Sequence, residues 1–338
     1  MSRTVWAWAR PVGGAAILAV IIWRLGTGPI LDGLRTINVG SLAAAGGIAI
    51  VTTVCCAWRW TLVARGLGVG LSLPTAIAAY YRSQFLNTAL PGGVLGDVHR
   101  AVRHGRDVGD VGRGLRAVVW ERSAGQLVQA ALTLAVLLIL PSPARRAMPV
   151  VAAVVVAALL AGLLAVRILP RHGASRRARI LRTAGDDIRD GLLARRARWG
   201  IVLASAVAIA GHVATFLVAA RTAGSSASLV QMVPLATLVL LAMGVPANIG
   251  GWGPREGVAA WMFGVAGLGA GQGVAVATVY GVLVLAATLP GAAVLLGGWL
   301  GRRRRRIGPQ PHDPHATGPH GALGLVPAGI GYEGAGRA

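Results

Sequence analysis

Charged residues are scarce in this chain. Only 13% of its 338 residues are charged, whereas a soluble domain of similar length carries roughly 25%. So few polar side chains cannot cover a water-facing globule, and the apolar surface must therefore meet lipid. Lysine is absent, and the 33 basic residues are all arginine against 11 acidic residues. These arginines lie in short loops between apolar blocks, so nucleic-acid binding is not expected.

Cysteine and catalytic motifs are nearly absent as well. Cys55 and Cys56 are adjacent, and neighbouring cysteines seldom form a disulfide or supply metal-ligand spacing. The sequence contains no nucleophile elbow, zinc spacing or Cys–His pair. No polar segment reaches the roughly 50 residues that a soluble catalytic domain usually needs. We therefore expect no enzyme activity, no metal site and no cofactor.

Long apolar blocks dominate the sequence instead. Most are long enough to cross the ~30 Å hydrocarbon core of a bilayer, where backbone groups must bond internally and therefore form helix. They predict an all-α, polytopic membrane helical bundle of about 6–8 spans. The blocks lie at residues 11–25, 41–64, 74–96, 117–140, 147–169, 200–222, 229–247, 257–270 and 274–300.

Arginine-rich connections predict the orientation of the chain. Arg59 and Arg65 close the second block, and further basic stretches lie at 100–116, 170–199 and 302–306. Because positively charged loops stay on the cytoplasmic side, we expect all of these positions to be cytoplasmic. Both termini are then cytoplasmic, and the expected location is the cell membrane.

The same pattern predicts two domains. Residues 1–301 form the transmembrane domain, with a basic cytoplasmic loop at 170–199. Residues 302–338 begin with five arginines and continue rich in Pro, Gly and His. A segment of this composition has no periodicity, and we expect it to be a disordered cytoplasmic tail.

A Pro/Gly break interrupts the block 74–96. Pro91, Gly92 and Gly93 stand in its last third, and Gly96 follows. Helix does not continue easily through such a triplet, and broken helix in a membrane needs cover from protein or water. Since the basic stretches on both sides of the block are expected to be cytoplasmic, we predict a re-entrant hairpin.

The block 229–247 runs into a second break. The interrupting residues are Pro246, Gly250, Gly251 and Gly253. Paired broken segments in corresponding positions of two halves point to a transporter site near the midplane. If this hairpin enters from the outside, the two halves form an inverted repeat. If 229–247 and 257–270 both cross, the termini still face inside, and the sequence leaves both arrangements open.

Charged and amide side chains lie close to both breaks. A charge at mid-membrane costs roughly 2.5–3.5 kcal/mol, so it needs a partner or a wet cavity. Arginine suits an anionic headgroup because its planar guanidinium binds phosphate oxygens in pairs. The candidate headgroup-binding residues are Arg82, Asn87, Asp97, Arg100, Glu121, Arg122, Arg255 and Glu256. The alternative is that they form loop charges and interhelical ion pairs that fix packing.

Spacing gives two expectations about these charges. Asp97 and Arg100 are three residues apart, so they would share one face of a helix. Side chains of adjacent residues leave a helix in different directions. We therefore expect the members of the pair Glu121–Arg122, and those of Arg255–Glu256, to point apart, with at least one member of each facing the protein interior.

Three segments resemble the lysylphosphatidylglycerol synthase transmembrane-domain family, also described as flippase-like. They are YYRSQFLNTALPGGVLGDVHR at 80–100, WERSAGQ at 120–126 and GVPANIGGWGPREG at 244–257. In bifunctional relatives this region is taken to translocate an aminoacylated phospholipid made by a fused transferase. Other relatives accompany glycosyltransferases or handle polyprenyl-linked glycolipids. Nothing after Arg306 resembles a transferase, so synthase activity is not expected here.

The resemblance implies a translocator of an anionic lipid or lipid-linked precursor. The expected substrates are an anionic phospholipid or a polyprenyl-phosphate-linked glycolipid, which would enter a polar cleft between the broken helices. The alternative is a non-transporting subunit or scaffold that recruits a glycosyltransferase or lipid-modifying enzyme. A third reading is a membrane enzyme with Glu121 and Asp97 as acid and base.

Overall fold

The computed structural model describes residues 15–90, 93–140, 164, 176–195, 197–244 and 252–307. Two compact units divide the chain, Met1–Gly297 and Gly298–Ala338. The candidate site lies in the first unit. The predicted tail beyond residue 307 lies outside the described residues, and so does almost all of the predicted block 147–169.

The described residues form helices and no strand, as predicted. The helices are α1 (Ala15–Leu25), α2 (Gly28–Arg35), α3 (Val39–Gly66), α4 (Leu73–Ala89), α5 (Leu95–Asp107), α6 (Val111–Ile139), α7 (Arg176–Asp187), α8 (Arg198–Thr222), α9 (Leu229–Ala242), α10 (Pro254–Val265), α11 (Ala270–Thr288) and α12 (Pro290–Ile307). A π-helical turn, Ile188–Leu192, follows α7 directly.

Four helical stretches within the described residues are long and apolar enough to cross a membrane. Three are α3, α6 and α8, and the fourth runs over Ala270–Leu300. A fifth candidate is the pair α1 and α2, which are bent by 95° around Gly26 and Thr27. The protein is therefore a multi-pass helical membrane protein. The larger number of 6–8 spans stays a prediction.

The helices around the site follow the same order twice along the chain. A long helix, a helical hairpin and a second long helix follow each other as α3, α4–α5 and α6, and again as α8, α9–α10 and α11. The two leading helices, α3 and α8, pack along each other. This order agrees with two related halves, and their inverted orientation in the membrane stays a prediction.

The first hairpin forms at the predicted break. α4 ends at Ala89 and α5 begins at Leu95, while Pro91 and Gly92 lie outside the described residues. The two helices approach closely at Gly96, where a Cβ atom would lie 2.0 Å from the Ser83 carbonyl oxygen. The hairpin is therefore confirmed, whereas its re-entry into the membrane stays a prediction.

The second hairpin joins α9 to α10, which pack against each other. Pro246, Gly250 and Gly251 lie in the connection, outside the described residues. Gly253 precedes α10 with φ +120°, a conformation that strongly favours glycine. Pro254 then opens the helix, where its fixed φ and missing N–H are harmless.

Part of the predicted basic loop packs against one end of the bundle. The Asp187 carboxylate accepts hydrogen bonds from Arg116 Nε at 2.8 Å and Trp120 Nε1 at 3.0 Å. At Gly66, the last residue of α3, a Cβ atom would lie 2.5 Å from the Asp190 carbonyl oxygen. The end of α3, the start of α6 and this loop therefore share one end of the molecule.

Candidate functional site

A polar cavity of about 280 Å³ lies among α3, α4, α5, α6, α8, α10 and α11. Among the described residues, three arginines line it, Arg59, Arg122 and Arg255, against one carboxylate, Asp97. Four amide side chains also face it: Gln84, Asn87, Gln126 and Gln129. A second cavity of about 210 Å³ shares Arg122, Gln126, Gln129 and His212 with the first. The predicted polar cleft near the hairpins is therefore present.

Glu121 of α6 is the centre of a buried ion network. Its Oε1 accepts hydrogen bonds from Arg59 Nε at 2.8 Å and from the Tyr80 hydroxyl at 3.0 Å. Arg59 Nη2 also pairs with this oxygen, and Oε2 accepts from Arg100 Nη2 at 2.7 Å. The carboxylate is fully buried, where a charge needs paired and hydrogen-bonded partners. It thereby links α3, α4, α5 and α6.

Asp97, in the first turn of α5, has its hydrogen-bonding capacity filled. Oδ1 accepts from the Ser83 hydroxyl at 3.1 Å and from Arg100 Nε at 2.9 Å. Oδ2 accepts from Asn87 Nδ2 at 2.8 Å and lies 2.8 Å from Arg122 Nη1. A carboxylate has about four acceptor positions, so little capacity is left. The predicted pairing of Asp97 with Arg100 on one helix face is confirmed.

Arg100 connects the two carboxylates and is itself enclosed by aromatic rings. Its guanidinium carbon lies 4.7 Å from the Trp60 ring centroid and 4.3 Å from that of Tyr80. Such stacking favours a desolvated cation. Arg100 is 1% exposed and does not line the cavity, so its position indicates a structural cation behind the cavity wall.

The Arg255–Glu256 pair corrects one sequence-based expectation. These adjacent side chains do not point apart: Arg255 Nη2 lies 2.5 Å from Glu256 Oε1. Glu256 occupies the first turn of α10 and folds back, where its Oε2 accepts from the Gly253 N–H at 2.7 Å. This capping contact brings the carboxylate within reach of the long Arg255 side chain, and both residues are buried.

Aromatic residues also surround Arg255. Its guanidinium carbon lies 5.1 Å from the Trp252 ring centroid and 5.6 Å from that of Tyr280. The Tyr280 hydroxyl lies 3.3 Å from His212 Nδ1, and His212 lines the cavity. At Gly281 a Cβ atom would lie 2.2 Å from Arg255 Nη2, so the missing side chain makes room for the guanidinium.

Arg122, Gln126 and Gln129 form a polar stripe on α6. Their spacing of four and three residues places them on one helix face, and all three line both cavities. The Arg122 side chain is 44% exposed and makes one ion pair, with Asp97, within the described residues. Neither glutamine amide is hydrogen-bonded to any described residue. As predicted, Arg122 points away from the neighbouring Glu121.

The structure divides the predicted headgroup-binding residues into two groups. Asn87, Asp97, Arg122 and Arg255 line the cavity, together with the helix-break residue Gly93. The others are buried and do not line it: Arg82, Arg100, Glu121 and Glu256. Contact between this second group and a headgroup stays a prediction.

Sequence reasoning missed several lining residues. Arg59 was expected to be an orienting charge at a cytoplasmic helix end, and this is wrong because it is buried inside α3 and pairs with Glu121. α3 continues two turns beyond it to Gly66. Its position several residues inside the apolar block was the available signal. Tyr80 and His212 gave no comparable signal, because single polar residues in apolar helices are common.

A comparison with known protein families assigns the chain to one of them. A family model described as "Lysylphosphatidylglycerol synthase TM region" matches residues 8–291. The match includes both hairpins and all the cavity-lining residues named above. No curated protein matches the chain.

Proposed function

Since the chain belongs to the lysylphosphatidylglycerol synthase transmembrane-region family, we propose that it moves an anionic lipid or lipid-linked precursor across the membrane. The substrate is an anionic phospholipid or a polyprenyl-phosphate-linked glycolipid. One observation carries this proposal: a cavity among apolar helices presents three arginines and one carboxylate. Charged residues within a membrane domain commonly mark a substrate or ion pathway.

Arg122 is the residue that first meets the headgroup in this proposal. Of the three cavity arginines, Arg59 and Arg255 are buried, whereas the Arg122 side chain is 44% exposed. Its ion pair with Asp97 uses Nη1, and a guanidinium has five N–H donors. The remaining donors are free to bind phosphate oxygens in bidentate fashion.

The state of the two acids supports the proposal of transport over catalysis. A general acid or base must reach the proton that it transfers. Glu121 is fully buried behind Arg59 and Arg100, and Asp97 is already bonded to four donors. Neither carboxylate is available for proton transfer in this arrangement.

Transport is tested in proteoliposomes that contain phosphatidylglycerol with a fluorescent headgroup. An impermeant reductant quenches the outer leaflet, and movement exposes the inner pool. We expect complete quenching with the protein and about half without it, because vesicle lipids start in both leaflets. Arg122→Gln should slow movement roughly ten- to hundredfold, the effect of losing a hydrogen bond to a charged group.

Arg113→Gln is the matched control. Arg113 also lies on α6, is also 44% exposed and also pairs with an aspartate, Asp110, but it does not line the cavity. Its loss should leave the rate of movement unchanged. Equal quenching with and without the protein, across several anionic lipids, would contradict the transport proposal.

We also propose that the arginine-rich end faces the cytoplasm of a cell membrane. The support is that the loop after α7 packs against the end of α3 and the start of α6. This loop is basic, and basic loops stay on the cytoplasmic side. Arg189 is exposed in this loop. A cysteine substituted there, Arg189→Cys, should react with an impermeant maleimide only after cells are permeabilised. Labelling in intact cells would reverse the orientation.

A further inference from the structure

Two features of the cavity together indicate headgroup selectivity. One is the polar stripe on α6, and the other is Asp97, whose carboxylate oxygens are already bonded to four donors. We propose that the cavity selects a phosphate linked to an uncharged, hydroxyl-bearing headgroup, such as glycerol or a sugar, and rejects a headgroup that carries an amino group. This inference rests on the proposed function, because it names the lipid class that the translocation site accepts. It separates an anionic lipid from its aminoacylated, cationic derivative.

The rejection of a cation follows from the acidic residues. An ammonium group needs a carboxylate or several free acceptors once it leaves water. Asp97 is the one carboxylate on the described cavity wall, and its two oxygens already accept from two arginines and two neutral donors. An incoming ammonium would therefore meet three arginines, and the acceptors left on the described wall, such as the amide carbonyls of Gln126 and Gln129, carry no full negative charge.

The connection between α9 and α10 contributes no acidic residue to the sequence between these helices. Its residues 245–251 read VPANIGG, with no Asp or Glu. Discrimination by unfavourable charge is an effective source of specificity. The wall therefore favours an anionic headgroup and disfavours one with a compensating amino group.

The preference for hydroxyl groups follows from the two glutamines. Gln126 and Gln129 lie one and two turns along α6 from Arg122, and their amides are not hydrogen-bonded to described residues. Each amide offers two donors and a carbonyl acceptor, which matches hydroxyl groups that donate and accept. A phosphate held by Arg122 would place the next few headgroup atoms beside these amides.

The test measures equilibrium binding to the purified full chain in detergent. The probes share dioctanoyl tails and differ in headgroup: phosphatidylglycerol, phosphatidic acid and lysyl-phosphatidylglycerol. We expect phosphatidylglycerol to bind about tenfold or more tightly than lysyl-phosphatidylglycerol, the effect of an unpaired polar or charged group in a desolvated site. Equal or tighter binding of the lysyl lipid, or no binding of any probe, overturns the inference.

Two variants locate the selectivity. The double variant Gln126→Leu/Gln129→Leu should weaken binding of phosphatidylglycerol about three- to tenfold and leave phosphatidic acid unchanged, because only the former has headgroup hydroxyls. Gln272→Leu is the control, since the Gln272 amide bonds to the Ala223 carbonyl at 2.8 Å away from the cavity. An equal loss for both lipids, or a changed ratio in the control, counts against the glutamine role.

A further arm separates lipid from soluble phosphate. Glycerol 1-phosphate, which has a phosphate and the glycerol hydroxyls but no tails, should compete with phosphatidylglycerol only at a much higher concentration. Equal competition would assign the site to a soluble ligand and overturn the lipid class. Selectivity and transport also fail separately: equal binding of the two lipids with intact movement refutes this inference alone, and selective binding without movement refutes transport alone.

Discussion

The two hairpins hold their charged residues in different ways. In the first, Asp97 and Arg100 of α5 bond to side chains on α4 and α6, and through Glu121 to Arg59 on α3. In the second, Arg255 and Glu256 satisfy each other within one helical turn, and Glu256 caps its own helix. The first arrangement fixes four helices to one another, whereas the second fixes mainly the start of α10.

The difference indicates that the two hairpins have different roles around the cavity. Removing one partner of a buried network leaves the others as uncompensated charges, so the first hairpin is tied to the stability of the bundle. The second hairpin contributes one cavity arginine, Arg255, held by a local pair and two aromatic rings. We therefore expect substitutions at the first hairpin to affect unfolding, and equivalent substitutions at the second to affect the cavity more than the fold.

The largest expected effect is that of Glu121→Gln. The change leaves Arg59 buried without its counter-charge and leaves Arg100 with Asp97 alone, and breaking a buried pair costs about 3–5 kcal/mol. Chemical denaturation in detergent micelles measures the loss in the free energy of unfolding. Asp110→Asn serves as the control on the same helix, because the Asp110 side chain caps α6 near the surface. It should cost about 1 kcal/mol or less.

Sequence reasoning predicted the helices and the breaks between them, but not the ion pairs that connect distant helices. Composition and Pro/Gly placement predicted the helices, both breaks, and the shared face of Asp97 and Arg100. The Arg59–Glu121 pair joins residues 62 positions apart, and such a contact depends on how α3 packs against α6. No local period or motif encodes that distance.

The Arg255–Glu256 pair was missed for a different reason. Helical geometry separates adjacent side chains in a helix interior, and the prediction applied that rule at a helix start. At a helix start the backbone N–H groups have no partner within the helix. A carboxylate in the first turn can therefore fold back and accept from the N–H of the residue three positions earlier. The position of Glu256 two residues after Pro254 was the signal that a capping contact would override the interior rule.

Glu256→Gln should have a smaller effect than Glu121→Gln, about 1–2 kcal/mol, under the same denaturation. Glutamine retains an oxygen that can accept from the Gly253 N–H, so the cap is weakened rather than lost. Arg255 keeps its two aromatic neighbours and lines the cavity, where water can solvate it. A loss equal to that of Glu121→Gln would show that the second hairpin is also part of a bundle-wide network.

Gly281→Ala should give the smallest effect on the free energy of unfolding. It tests whether Arg255 is held only by its immediate neighbours. The new methyl group would lie 2.2 Å from Arg255 Nη2, so the guanidinium must shift from its present position. Overpacking costs about 1–3 kcal/mol, but the contact atom is the end of a long side chain, and alanine gains about 0.5–1 kcal/mol over glycine in a helix. We therefore expect a net loss of about 1 kcal/mol.

Gly47→Ala in α3 separates these two contributions, because no atom lies within 4 Å of a Cβ placed there. It should stabilise the protein by about 0.5–1 kcal/mol through helix propensity alone. If Gly281→Ala stabilised the protein by the same amount, Arg255 would be free to move within its site, and the room left by Gly281 would have no role in placing it. If instead Gly281→Ala cost as much as Glu121→Gln, Arg255 would be fixed by the whole bundle, and the contrast between the two hairpins would disappear.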